Sequence, residues 1–407
     1  MKINNLISRA KVNLCVTLTF CLWVFAVDVF PAYQTGEISG EVEKINYKQF
    51  VNDTLPESKL ENFDINKSAG AFILSNEKEK IAVSRWISPK RTRSYPYERV
   101  YDTLAFSGKK VTIIPVVKDE GLGGERDFLQ WDTISLLGLL DVHVVLAYYN
   151  DAIKNTKRAD QITEQKYDNK YLLARLNEIY NFKGTARDWN ETEAKRLKSV
   201  FEKAKLAYRE ISVNTKTYLH DETALDEIIK YTETPLKFVE FSRLKARQAQ
   251  RRESQTKQPK EALATDTKEK ITITNALFGK YFLTVDETRR EPQTVYLIEA
   301  KHSERSRLTN ESDIKDALIK MIVYTNLRNV RVGGKPRGYQ VVLKLTSSKI
   351  NGSINSTATD EELTKYCLDN LIDSSRREFL RKLFIEAREN KFTVILERAE
   401  TKKLIEL

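Results

Sequence analysis

The sequence predicts an α/β (α+β) protein in which a mixed β-sheet is flanked by helices, with additional α/β and helical regions in its N-terminal part. Two observations carry this prediction. Short apolar or β-branched runs typical of strands, such as residues 109–117 and 294–299, are separated by longer segments whose apolar residues recur every three or four positions. With 407 residues, the chain is also long enough for two to three domains.

The composition is that of a globular protein with a basic surface. Apolar residues make up 41% and charged residues 31% of the chain, and the formal net charge is +11. This charge favours a polyanionic partner, with nucleic acid first and an anionic membrane surface second. Three histidines and three scattered cysteines form no recognisable zinc motif, and no phosphate-binding loop or G-x-S-x-G motif is present.

The first predicted region, residues 1–35, is an apolar segment. Basic residues precede an uncharged run from residue 12 to residue 27, the layout of a signal peptide, a short membrane anchor or a mis-assigned start. Two of the three cysteines lie here, so the rest of the chain keeps the single thiol of Cys367. A reducing compartment and a cytoplasmic location are therefore expected, with export or anchoring left open.

The second region, residues 36–150, has an α/β pattern and could recognise DNA. Short strands are expected near 71–74 and 81–87, and a strand, a helix and a strand between 109 and 149 form a crossover unit. Between them, Lys90, Arg91 and Arg93 lie in a basic, tyrosine-containing stretch that could contact phosphates or be a solvated loop. A glycine-rich acidic loop at 118–127 is interpreted as capping a helix with Asp127, and a second acidic centre is the alternative.

The third region, residues 151–262, is helical in pattern and strongly basic near its end. Arg247, Arg251 and Arg252 precede a boundary near Pro259. Arginine suits contacts to phosphates and base edges, so these residues are candidate DNA contacts. A solvated helix face is the alternative.

The fourth region, residues 263–407, is the most regular. It is expected to contain a hairpin across 280–301, a helix at 312–327 capped by Ser312 or Asp313, and a strand at 338–347. A helix at 374–390 and a strand at 392–397 complete it.

The hairpin brings charged residues together at one end. If the tight turn spans residues 291–294, Asp286 lies opposite Glu299, with Cβ atoms about 5 Å apart. Side chains alternate along a strand, so Glu299 and Lys301 share one face. Two carboxylates this close repel each other unless a cation lies between them. Together with the main-chain carbonyl of Ala300, they offer the oxygen ligands that Mg²⁺ prefers. A looser turn would put another residue, Glu287 or Asn275, in the place of Asp286.

An acidic residue, a hairpin, the sequence Glu299-Ala300-Lys301, a helix and a further strand resemble the PD-(D/E)XK nuclease superfamily, and within it the type II restriction endonucleases. The matching residues are Asp286, Glu299 and Lys301, and the resemblance covers about 268–347. Val285 stands where the family has proline.

The resemblance implies a restriction-endonuclease-like core at 263–407 and catalytic roles for Asp286, Glu299 and Lys301. It implies a Mg²⁺-dependent enzyme, without a small-molecule cofactor, that hydrolyses phosphodiester bonds of double-stranded DNA at a short sequence, usually as a homodimer. A cognate DNA methyltransferase acting on the same site is an expected partner. The rival hypotheses are a nucleic-acid-binding protein without catalysis, an exported or membrane-anchored protein, and a mere surface pair of Glu299 and Lys301.

Overall fold

The computed structural model describes residues 37–90, 96–255, 269–275 and 280–399, with the backbone alone for 246–255, 270, 275 and 280–282. These residues belong to one compact unit, Thr35–Leu407. Several predictions lie outside the described residues: the nature of segment 1–35, Arg91 and Arg93, and the side chains of Arg247, Arg251, Arg252 and Asn275.

The strands follow one another along the whole described chain. They are β1 (Ile38–Val42), β2 (Glu57–Lys59), β3 (Ala71–Ser75), β4 (Lys80–Arg85), β5 (Lys109–Pro115), β6 (Val117–Asp119), β7 (Arg126–Phe128), β8 (Val142–Ala147), β9 (Tyr149–Lys154), β10 (Ile162–Tyr167), β11 (Glu269–Asn275), β12 (Lys280–Val285), β13 (Glu287–Arg290), β14 (Thr294–Ser303), β15 (Arg328–Val332), β16 (Lys335–Pro336), β17 (Gly338–Ser347), β18 (Ser353–Asn355) and β19 (Thr393–Arg398).

Helices lie between the strands and concentrate in the middle of the chain. They are α1 (Pro96–Leu104), α2 (Trp131–Leu139), α3 (Asn169–Asn181), α4 (Ala186–Ala194), α5 (Leu197–Thr215), α6 (Thr223–Tyr231), α7 (Pro235–Gln255), α8 (Glu311–Thr325), α9 (Asp360–Asp369) and α10 (Ser374–Glu389). Two short 3₁₀ turns occur at Leu60–Asn62 and Ile65–Lys67. Within the described ranges, no helix is both long and apolar enough to cross a membrane.

The N-terminal sheet has the strand order β2-β3-β4-β5-β8. β3 and β4 form an antiparallel hairpin, whereas β4, β5 and β8 run parallel. Parallel neighbours require crossover connections, which α1 and α2 provide. β8 is buried along its whole length, as expected for an apolar strand covered on both faces. The predicted strand–helix–strand crossover is therefore confirmed.

The C-terminal sheet has the order β13-β14-β17-β19-β18 and is mixed. β13 pairs antiparallel with β14, and β14, β17 and β19 run parallel. Helix α8 lies within the crossover from β14 to β17 and packs on both strands. The predicted fold class, a mixed sheet flanked by helices, is confirmed.

A third sheet joins β1, the first described strand, to strands between residues 269 and 336. Its order is β12-β11-β1-β15-β16, so β1 lies between a strand that precedes the C-terminal hairpin and a strand that follows α8. The hairpins β6–β7 and β9–β10 are separate two-stranded pairs. The chain segment before the N-terminal sheet is thus built into the C-terminal part of the fold.

Helix α8 is buried on almost every side. Its first residue is Glu311, and the Asn310 side chain caps it by accepting a hydrogen bond from the Asp313 backbone N–H at 2.8 Å. The prediction that Ser312 or Asp313 is the cap was wrong, because the helix starts earlier than expected. The Ser312 hydroxyl donates instead to Glu98 on α1.

A buried lysine on α8 forms ion pairs with the N-terminal part of the chain. Lys315 is only 2% exposed, and its ammonium donates hydrogen bonds to Asp53 and to Asp102 on α1. A buried ammonium without such partners would cost several kcal/mol. These contacts hold α8 at a fixed position between α1 and the C-terminal sheet.

Candidate active site

The hairpin β13–β14 has the register that the sequence predicts. Glu287 pairs with Ile298, and the Glu291 N–H donates to the Thr294 carbonyl at 2.8 Å. Asp286 directly precedes Glu287 in the chain and lies at a bend; continued by one residue, the register places it opposite Glu299, but Asp286 itself is not part of the strand pairing. The first arm is nevertheless not one strand, because β12 ends at Val285 and pairs with β11 in another sheet.

Asp286 is bound to the backbone of the neighbouring strand. Its Oδ2 accepts a hydrogen bond from the Ala300 N–H at 3.0 Å. In a strand, the N–H and C=O of one residue point to the same side. The Ala300 carbonyl is therefore directed toward the edge where Asp286 lies, away from β17.

Glu299 is fully buried and held by two lysines. The Lys320 ammonium, on α8, donates to both Glu299 carboxylate oxygens at 2.7 Å each. The Lys301 Nζ lies 3.4 Å from Glu299 Oε1. Glu299 and Lys301 thus share the face of β14 that α8 covers, as the alternation of side chains predicts.

Burial and charge leave Glu299 with an unusual acidity. Desolvation raises the pKa of this carboxyl to about 7; the positive charge of Lys320 opposes the shift, and the negative charge of Asp286 adds to it. For Lys320, burial alone lowers the pKa, but the charges of Glu299 and Asp286 outweigh burial and raise it above the ordinary value of lysine. Lys320 therefore stays charged where Glu299 titrates.

Two residues of this cluster were missed from the sequence, Asp316 and Lys320. They lie one helical turn apart on α8, and Asp316 Oδ2 is 4.0 Å from the Lys301 Nζ. Burial raises the pKa of Asp316. The signal was a lysine inside the apolar run 317–323, where a charged residue needs a partner.

The alternatives to Asp286 lie elsewhere or outside the described residues. Glu287 is next in the chain, so its side chain alternates to the other face of the hairpin. There its Oε2 is 3.4 Å from the Lys344 Nζ. The residue after Lys301, His302, contacts β17 instead of this cluster: its Nδ1 lies 2.9 Å from the Thr346 hydroxyl.

The donor set at the hairpin end suits a hard cation. Within the described ranges, no three or more His, Cys, Asp or Glu side chains are grouped to hold a metal ion. The candidate set uses two carboxylates, Asp286 and Glu299, and the carbonyl of Ala300. Each carboxylate oxygen can accept more than one contact, so the Glu299 oxygens keep acceptor positions beside the Lys320 hydrogen bonds. These residues therefore fit Mg²⁺.

The basic and acidic candidates near residue 90 form a separate group. The Lys90 Nζ lies 3.9 Å from Asp127 Oδ1 and 4.0 Å from Glu125 Oε2, and its role in DNA contact stays a prediction. Asp127 does not cap a helix, so that prediction was wrong. It lies in β7 and accepts a hydrogen bond from the Ser88 hydroxyl at 2.9 Å, and α2 begins later, after Gln130, whose side chain makes no capping hydrogen bond.

Comparison with known proteins identifies no relative: no family model, no curated protein and no solved structure matches the chain.

Proposed function

We propose that this chain is a Mg²⁺-dependent, sequence-specific endonuclease that hydrolyses phosphodiester bonds of double-stranded DNA, of the restriction type. The observation that carries the proposal is the buried Glu299 at the end of a hairpin, adjacent to Asp286 and sharing a face with Lys301. An apolar strand that ends in such a cluster has a high desolvation cost, which a catalytic role explains.

The order of elements supports a PD-(D/E)XK-like core within 263–407. The antiparallel hairpin β13–β14, the crossover helix α8 and the parallel strand β17 occur in the order that the resemblance requires. Fold alone does not imply function, so the proposal depends on the side chains at the hairpin end.

Asp286, Glu299 and the Ala300 carbonyl would hold the ion. When bound, Mg²⁺ would supply charge neutralisation at the phosphate and a lower pKa for a coordinated water. Lys320 would hold Glu299 in place from α8, through hydrogen bonds to both carboxylate oxygens. Lys301 is 22% exposed and can reach a phosphate oxygen or the attacking water.

The reaction consumes one water for each strand cut. Its oxygen bonds to phosphorus, the bond from phosphorus to one sugar oxygen breaks, and that oxygen leaves with a proton. Lys301 would orient the water, and Asp316 Oδ2 lies 4.0 Å from the Lys301 ammonium.

The rest of the chain would bind and read DNA. The net charge of +11 supports a polyanionic partner. Lys90, Arg91, Arg93, Arg247, Arg251 and Arg252 are proposed contacts. An enzyme with this activity would work in the cytoplasm beside a methyltransferase that protects the same sequence in cellular DNA.

The test is incubation of the purified protein with several plasmid DNAs in Mg²⁺ and in EDTA. Discrete products are expected in Mg²⁺ and none in EDTA, because hydrolysis of the phosphodiester would require the bound divalent ion. Intact plasmids in Mg²⁺ across many sequences, or equal cutting in EDTA, would contradict the proposal.

A further inference from the structure

The chain contains the same arrangement of strands twice. In the N-terminal sheet, the hairpin β3–β4 leads through α1 to β5, parallel to β4, and then to β8. In the C-terminal sheet, the hairpin β13–β14 leads through α8 to β17, parallel to β14, and then to β19. The four-strand orders, β3-β4-β5-β8 and β13-β14-β17-β19, have the same relative directions. We call these the N-terminal unit and the C-terminal unit.

The crossover helices of the two units pack against each other. Helix α1 of the N-terminal unit contacts α8 of the C-terminal unit. Polar contacts cross this helix pair: Ser312 donates to Glu98, and the Lys315 ammonium donates to Asp102 at 2.8 Å. Since Lys315 is 2% exposed, the side of α8 that faces α1 is covered within one chain.

The N-terminal unit lacks the acidic cluster at the corresponding strand ends. At the open end of its hairpin, the last pair is Ala71 with Ser84. The next two positions are therefore Gly70 and Arg85, which correspond to Asp286 and Glu299 in the C-terminal unit. A shift of one or two residues in this alignment still brings no carboxylate, because residues 68–72 are Ser, Ala, Gly, Ala and Phe, and residues 83–87 are Val, Ser, Arg, Trp and Ile.

The arginine at this end of the N-terminal unit is structural. The Arg85 guanidinium donates to the Ile65 carbonyl at 3.0 Å and to the Ser68 carbonyl at 3.2 Å. Arg99, on α1, in turn donates to the Arg85 carbonyl at 2.6 Å. The two hairpin positions that correspond to Asp286 and Glu299 thus carry no carboxylate; among the described residues, an acidic side chain near this end is Asp127 from β7, which accepts a hydrogen bond from Ser88 at 2.9 Å.

We propose, building on the endonuclease function above, that the N-terminal unit replaces the second subunit of a homodimer, so that one chain acts alone and cuts one strand per binding event. The two units are paired through α1 and α8, but only the C-terminal unit has the acidic cluster. The product of each event is then a nick, which differs from the homodimeric double-strand cut that the family resemblance implies.

The test follows a supercoiled plasmid with one recognition site through its open-circular and linear forms. Nearly complete conversion to open circles before linear DNA appears is expected, with an initial rate proportional to protein concentration over a tenfold dilution. Linear DNA formed without an open-circular intermediate, at a rate that rises with the square of the concentration, would overturn the inference but leave the endonuclease function intact. No cutting at all would overturn both.

A homodimer whose second strand cut is slow would also accumulate open circles, and a mixing experiment distinguishes it from a single chain. Inactive Glu299→Gln protein is added in excess to the parent protein with saturating DNA. For single chains, the excess only competes for sites, so nicking falls in proportion to the active fraction and the product does not change. A parent protein that makes linear DNA alone, but nicks once the variant is added, must pair its chains, and the inference would be wrong.

Discussion

Lys320 donates a hydrogen bond to each carboxylate oxygen of Glu299, both at 2.7 Å; the Glu299 side chain is buried, and the Lys320 side chain, which reaches it from α8, is 20% exposed. The contact fixes the carboxylate from the helix side. Its remaining acceptor positions are then available to the hairpin end, where Asp286 and Ala300 lie.

Replacing Lys320 with methionine should reduce the free energy of unfolding by about 3–5 kcal/mol, because a buried carboxylate loses its partner. Urea denaturation measures this change. The double variant Glu299→Gln/Lys320→Met should lose less than the sum of the two single changes, since neither charge remains. Additive losses would mean that the two residues do not stabilise each other.

Replacing Lys301 with alanine should abolish cleavage and change the free energy of unfolding by no more than about 1 kcal/mol, because Lys301 lies 3.4 Å from Glu299 and Glu299 keeps both hydrogen bonds from Lys320. Single-turnover cleavage, DNA binding in Ca²⁺ and urea denaturation give the three readouts. DNA binding should be retained. If this variant cuts as fast as the parent protein, the role given to Lys301 is wrong.

The register of the hairpin could be predicted because it follows from local chemistry. Pro292 in a four-residue turn and the alternation of apolar residues before Glu299 together fix which residues lie opposite each other. The bend at Asp286 could not be predicted in this way. The strand changes sheets there, because β11 pairs with the segment that ends at Val285, and such a pairing is not local in sequence.

The helix side of the site was missed for a similar reason. Lys320 looked like one polar position on an amphipathic helix, yet α8 is covered by both the C-terminal sheet and α1. Contacts such as Lys315 with Asp53 join residues far apart in the chain, and a periodicity pattern does not contain them. The repeated arrangement of strands was equally invisible, since the two units share no sequence period.

Mg²⁺ binding should strengthen as the pH rises from 6 to 8. Glu299 has a pKa raised to about 7, so in the metal-free protein it is largely protonated at pH 6 and largely ionised at pH 8. The ion needs the ionised oxygen and competes with the proton, so affinity should fall by up to about tenfold for each pH unit below 7. Titration calorimetry measures this dependence.

The control for the pH experiment is Glu299→Gln, which should bind Mg²⁺ weakly and lose the pH dependence near 7. An affinity in the parent protein that stays constant from pH 6 to pH 8 would show that Glu299 is not a ligand with this acidity.

Replacing Tyr101 with phenylalanine should lower the free energy of unfolding by about 1–3 kcal/mol. The Tyr101 hydroxyl contacts the buried Glu386 carboxylate on α10 at 2.7 and 2.8 Å, and neither residue belongs to the candidate site. Thermal unfolding measures the loss. Cleavage at a temperature where the variant is folded should equal that of the parent protein; a large loss of cleavage there would contradict the location of the site.

The most direct measurement compares Glu299→Gln with Glu287→Gln in plasmid cleavage with Mg²⁺, after circular dichroism shows both variants folded. The two glutamates lie on the same hairpin and each lies near a lysine, but they point to opposite faces. Loss of cleavage in Glu299→Gln with normal cleavage in Glu287→Gln is the expected result. Normal cleavage in Glu299→Gln would contradict the catalytic site.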